Sequence, residues 1–115
     1  MKNTILILIS LLFVTGISEG KEVSYLQDRN GIKYEINSET PYTGKYVGYY
    51  ENGQKNEETN YKDGKEEGLT TTWYENGQKW LEGNFKDGKK NGLLIGWHKT
   101  GQKEGEENYK NGKGE

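Results

Sequence analysis

Cysteine is absent from this 115-residue chain, and histidine, proline and methionine each occur once. Without cysteine there is no disulfide, no thiol nucleophile and no cysteine metal site. The bacterial lipoprotein route is closed as well. The one histidine, His98, cannot form a histidine pair for a metal. After residue 20 the serines are Ser24 and Ser38, with no base beside either in sequence, so a nucleophilic triad has no candidate set. Aliphatic residues are scarce too. Beyond residue 20, Leu, Ile, Val and Phe fall well below the one-fifth that marks disorder in highly charged chains. Net charge is only −2, so self-repulsion does not force expansion. A helical bundle or a sandwich would lack core, whereas a thin sheet that packs aromatic rings between strands needs fewer aliphatics.

What is present begins with an unusual opening. Lys2 supplies a positive charge, Ile5 to Val14 is apolar except for Ser10, and Gly16, Ser18 and Gly20 follow. Charge, apolar run and small residues in that order describe a secretory signal peptide over residues 1–20, cut after Ser18 or Gly20. The run is too short to span a bilayer, which needs about 20 residues. Export to the periplasm, the cell surface or the medium is the expectation.

The rest is a repeat. Residues 44–67, 68–91 and 92–115 align without a gap at a period of 24. Gly44, Gly68 and Gly92 coincide, as do Gly53, Gly77 and Gly101, then Gly64, Gly88 and Gly112. Lys55, Lys79 and Lys103 share a slot, as do Glu58, Glu82 and Glu106, and Tyr61, Phe85 and Tyr109. Residues 21–43 carry a degenerate copy, with Asn30-Gly31-Ile32-Lys33 matching Asn52-Gly53-Gln54-Lys55. An atypical first unit reads as a cap.

Each unit holds two turn signals: Asn-Gly or Thr-Gly at Gly53, Gly77 and Gly101, and Asp-Gly or Asn-Gly at Gly64, Gly88 and Gly112. Such pairs suit two-residue hairpin loops with positive φ at both central residues. The stretches between them are rich in Tyr, Trp and Thr and suit strands. The fold expected is all-β: an elongated, single-layer antiparallel sheet of stacked hairpins behind a signal helix. Alternation places Lys45, Val47 and Tyr49 on one face with Leu69, Thr71, Trp73 and Leu93, Ile95, Trp97. Tyr49, Trp73 and Trp97 then form one aromatic row, and Tyr50, Tyr74 and His98 a second on the opposite face. Equivalent residues sit roughly 10 Å apart, two strands per unit. Tyr61, Phe85 and Tyr109 are expected to fill the gaps between rings.

The string Tyr-Glu-Asn-Gly-Gln-Lys, then Glu58, Tyr61-Lys62-Asp63-Gly64-Lys65 and Gly68, resembles the MORN-repeat variant of bacterial proteins. The resemblance implies hairpins laid side by side in a ribbon. It implies an interaction module, with lipids and proteins as ligands in the family, and a YwqK-type antitoxin role for some members.

Chemistry is hard to place on such a chain. Polar groups repeat instead of converging, so no catalytic, cofactor or metal residues are expected. The Glu58, Glu82, Glu106 row reads as solvated and too widely spaced for a carboxylate pair. Lysine rows at 55/79/103, 62/86/110 and 65/89/113 suit solubility and edge protection, or else a phosphate or anionic lipid surface. Nucleic acid is not expected of a slightly acidic exported chain. The six row aromatics are the candidate binding residues, for a protein or cell-surface ligand, with a glycan or lipid headgroup as alternatives. A monomer with weak edge-to-edge association is expected.

Overall fold

A computed structural model describes residues 21–115; the expected signal helix lies outside them. The described residues form ten strands and no helix: β1 (Glu22–Val23), β2 (Gln27–Arg29), β3 (Ile32–Tyr34), β4 (Gly44–Tyr49), β5 (Lys55–Lys62), β6 (Lys65–Trp73), β7 (Lys79–Lys86), β8 (Lys89–Trp97), β9 (Lys103–Lys110) and β10 (Lys113–Gly114). Eight of them make one sheet in the order β1-β4-β5-β6-β7-β8-β9-β10, while β2 and β3 pair separately. The extents are 52 × 31 × 25 Å, the elongated shape expected of stacked hairpins.

One pairing departs from the antiparallel expectation. β1 runs parallel to β4, with Glu22 opposite Lys45 and Val23 opposite Tyr46. A parallel neighbour needs a long crossover, and the β2–β3 hairpin with the chain to residue 43 supplies it.

The two turn classes differ in geometry. Asp63, Asp87 and Asn111 have φ of 51°, and the glycines after them 83–86°. Each such pair bridges directly opposed lysines, as in Lys62–Lys65. These are the expected two-residue loops. Asn30-Gly31 in the β2–β3 hairpin matches them, at 56° and 87°. At Gly53, Gly77 and Gly101 only the glycine is positive, at 90–96°. The Gly53 N–H donates to the Tyr50 carbonyl (3.0 Å), and the Tyr50 N–H donates to the Gln54 carbonyl (2.8 Å). That is a three-residue loop closed by a left-handed glycine. Asn52 accepts the Gln54 N–H (2.9 Å) and Asn76 the Gln78 N–H (2.9 Å). The Asn thus stays at negative φ and works through its side chain, which corrects the two-residue reading of this class.

The framing glycines also explain the aromatic slot. Gly44 pairs with Tyr61, Gly68 with Phe85 and Gly92 with Tyr109. All three glycines have positive φ, 148°, 99° and 106°. A ring on the opposed strand covers backbone that the glycine leaves bare. Tyr61, Phe85 and Tyr109 therefore do not fill the gaps in the Trp row; they lie on the other face. Irregular pairing at Thr59/Tyr61 and Gly83/Phe85 bends β6 and β8 beside these glycines, as bulges do.

Little is fully buried. Tyr42 and Val47 are the buried hydrophobic side chains, with Thr59 and Thr71 the buried polar ones. Stability must therefore come largely from ladders and contacts between units. The units are tied by recurring bonds. The Tyr50 hydroxyl donates to the Trp73 carbonyl (2.6 Å) and the Tyr74 hydroxyl to the Trp97 carbonyl (2.8 Å). The Asn52 and Asn76 amides donate to the Glu75 and Lys99 carbonyls. At the other edge, the Gly64, Gly88 and Gly112 N–H groups donate to the carbonyls of Tyr42, Glu66 and Lys90.

Candidate binding face

Register decides which side chains share a face. Across β4 to β9, Tyr49 opposes Lys55, Trp73 opposes Lys79 and Trp97 opposes Lys103. The lysines also reach the next unit: the Lys55 ammonium lies 5.8 Å from the Trp73 ring centre and that of Lys79 5.5 Å from Trp97. The rung therefore reads Tyr49, Lys55, Trp73, Lys79, Trp97, Lys103. The gaps in the aromatic row are filled by lysine, with cation–π attraction of about 0.5–1 kcal/mol each at such exposure.

The adjacent rung runs Val47, Glu58, Thr71, Glu82, Ile95, Glu106. Its carboxylates bond back to the lysines. Lys55 meets Glu58 at 2.9 Å, Lys79 meets Glu82 at 3.0 Å, and Lys103 meets Glu106. Lys45 adds a second partner to Glu58 at 3.0 Å, and the Thr71 hydroxyl donates to Glu82 (2.9 Å). Glu58 and Glu82 are only about a quarter exposed, so these two are paired and half-buried instead of solvated, while Glu106 is paired but stays exposed as expected. The Lys55 and Lys45 hydrogen bonds hold Glu58 below the ordinary carboxylate value, and Glu58 in turn raises Lys55.

A third rung carries Leu69 opposite Asn84 and Leu93 opposite Asn108. Leu69 is 48% exposed, Leu93 41% and Tyr49 52%, with Trp73 and Trp97 half-buried. This face thus offers an apolar, aromatic strip beside which Lys55, Lys79, Glu58 and Glu82 are already paired. Sequence reasoning placed Tyr49, Trp73 and Trp97 together, and the structure agrees. It missed the interleaved lysines, for which the shared Lys55/Lys79/Lys103 and Glu58/Glu82/Glu106 slots were the available signal.

The second row has a different role. Tyr50 and Tyr74 enter the three-residue loops, and their hydroxyls are committed to backbone carbonyls of the next unit. His98 is exposed in the same slot. Trp80, an extra residue where β7 slips against β6 between Leu81 and Lys79, packs on Tyr74 with ring centres 5.7 Å apart. It is 45% exposed and was not foreseen as part of any row. The six turn glycines all sit at positive φ in loops.

The opposite face is occupied near the first unit. Tyr25, Leu26, Lys33, Tyr46, Glu57 and Tyr61 line a recess of about 300 Å³ there. Glu66 lies beside it, opposite Tyr61, with its carboxyl raised by burial and by Glu57. No group of three or more His, Asp or Glu side chains suited to a metal occurs among the described residues.

The class of protein follows from this geometry. A ribbon of 24-residue hairpins, joined only to neighbours, with aromatic rows on both faces, is a repeat scaffold. The family model of the MORN repeat variant matches residues 42–63, 66–87 and 90–111, and the chain belongs to that family. The three matches begin at Tyr42, Glu66 and Lys90, whose carbonyls accept the turn-glycine N–H groups. No curated protein and no solved structure matches the chain.

Proposed function

We propose that this protein is an exported, non-enzymatic binding module that holds a protein or cell-surface partner on the face built from Tyr49, Trp73, Trp97, Leu69 and Leu93. MORN repeats are generally binding modules. The observation that carries the choice of face is the exposed Leu69, Leu93 and Tyr49 strip beside charges that are already paired. Rigid aromatics and leucines bind at low entropy cost, and matched charges do not have to be desolvated alone. A glycan reading is less well supported, because the ammonium groups of Lys55 and Lys79 lie over the Trp73 and Trp97 rings that a sugar would stack on.

Two measurements test this reading. Fluorescently labelled mature protein is applied to cells of the natural host and to cells that host encounters. Leu69→Ser with Leu93→Ser should abolish binding while circular dichroism stays unchanged; undiminished binding refutes the face. Export is tested by intact mass. Product from the natural host should be about 2 kDa lighter than the full chain, as removal of a signal peptide of roughly 20 residues requires. An uncleaved cytosolic product refutes that part.

A further inference from the structure

The lysines that flank the two-residue turns break a local rule three times. Lys62 directly opposes Lys65, Lys86 opposes Lys89, and Lys110 opposes Lys113. Like charges directly opposite each other destabilise a sheet, and hydrogen-bonded pairs bring their Cα atoms to about 5.5 Å. Edge protection does not explain the arrangement. Lys62–Lys65 and Lys86–Lys89 close hairpins in the interior of the eight-stranded sheet, with further strands on both sides. Neutralisation does not explain it either. Among the described residues the only ion pair made by these six lysines is Lys65 to Asp87, and it is long, at 3.8 Å. The contrast with Lys55 and Lys79 is sharp, since each of those has a close carboxylate.

Alternation along the strands puts all three pairs on the same side of the ribbon. They lie in a line along one edge, one unit apart, roughly 10 Å. The stems have a seat as well. Lys65 carbons lie 3.9 Å from the point where a Cβ on Gly88 would stand, and Lys89 carbons 3.7–3.9 Å from that point on Gly112. Between the first two tips lies an open trough of about 500 Å³, lined by Lys62, Lys65 and Lys86 with Asp63, Glu67 and Asp87. Both aspartates sit at the positive-φ turn position, which favours Asp or Asn. In the third turn that position is Asn111, which leaves Lys110 and Lys113 without an acid in the loop.

We propose that this rail of lysine pairs binds a linear polyanion, a chain bearing phosphate or sulfate groups at regular intervals. A bound anion relieves the repulsion within a pair, and a chain can engage successive pairs at once, so that weak contacts multiply. A single small anion would meet one pair only. A flat membrane is the poorer fit, because the large exposed apolar side chains (Tyr25, Ile36, Tyr49, Leu69, Trp80, Leu93) all lie outside the turn tips. The inference goes beyond the aromatic-face reading and stands on different residues, so either can fail alone.

The test uses the mature protein with inorganic polyphosphate, a heparin-type sulfated glycan and anionic phospholipid vesicles as separate probes. Binding to one or both polymers is expected, falling steeply with salt, since each neutralised charge releases counterions. The double variant Lys86→Thr, Lys89→Thr should lose about tenfold in polymer affinity. Its melting temperature should rise by about 2–4 °C, because a repulsive pair is replaced by a favourable Thr–Thr pair. Lys86→Arg with Lys89→Arg should keep the affinity, and Ile36→Ser, at an exposed apolar position outside the turns, should leave it unchanged. Three results overturn the proposal: polymer binding that ignores the Lys→Thr change, vesicle binding with no polymer binding, or a melting temperature that falls in the Lys→Thr variant.

Discussion

Replacing Gly77 by valine, and separately Gly105 by valine, isolates backbone conformation from side-chain space. Gly77 closes the loop before β7 at φ +90°, and the nearest atom to an added Cβ is the flexible Gln54 Oε1 at 3.5 Å. Gly105 lies within β9 outside the positive-φ region, with nothing within 4 Å of an added Cβ. Neither site clashes, so the difference is conformational. A β-branched residue at positive φ is a genuine outlier, costing about 1–3 kcal/mol. Valine at Gly105 meets the ordinary preference of a strand and also removes freedom from the unfolded chain, a gain of about 0.4–1 kcal/mol. The two variants should therefore differ by about 1.5–4 kcal/mol. For a chain of this size each kcal/mol moves the melting temperature by about 4–8 °C. Thermal and urea unfolding followed by tryptophan fluorescence read this directly, and Gly77→Ala should fall between the wild type and Gly77→Val. Equal melting temperatures for Gly77→Val and Gly105→Val would refute the left-handed loop assignment.

Further outcomes follow from single groups. The Thr70 hydroxyl is buried with no hydrogen-bond partner, so Thr70→Val should stabilise by about 1 kcal/mol; a loss in urea unfolding would show an unseen partner. Tyr74→Phe removes the hydroxyl donated to Trp97 and should cost about 1 kcal/mol, whereas His98→Phe, at an exposed slot, should be near neutral by the same measurement. Stability should have a maximum in mild acid. The depressed Glu58 contributes stability above its ordinary 4.5 that is lost as pH falls through the lower folded value. The raised Glu66 acts oppositely: its ionised form opposes folding, so stability is gained as pH falls through its raised value toward 4.5. Glu66→Gln should flatten the limb above the maximum and Glu58→Gln the limb below it; unchanged limbs in urea titrations across pH would overturn these assignments.

Local chemistry was legible in the sequence because it repeats. The period of 24, the paired turn signals and the alternation of Leu69, Thr71 and Trp73 each depend on residues close in the chain, and three copies made each signal visible. That was enough to give stacked hairpins and one aromatic row. What the sequence left open depends on which residue stands opposite which. Register put Lys55 beside Tyr49 and over Trp73, where an aromatic filler was expected, and paired Tyr61, Phe85 and Tyr109 with the framing glycines instead. Register also turned Glu58 and Glu82 from solvated to paired and half-buried, while Glu106 stays exposed. The loop geometry at Gly53, Gly77 and Gly101 was misjudged for a related reason: Asn-Gly serves two-residue and three-residue loops alike, and the closing backbone bonds decide between them. The parallel β1 and the tie from Tyr74 to Trp97 were invisible for the same cause. They join residues 23 positions apart, and only the folded sheet fixes how strands slide against one another.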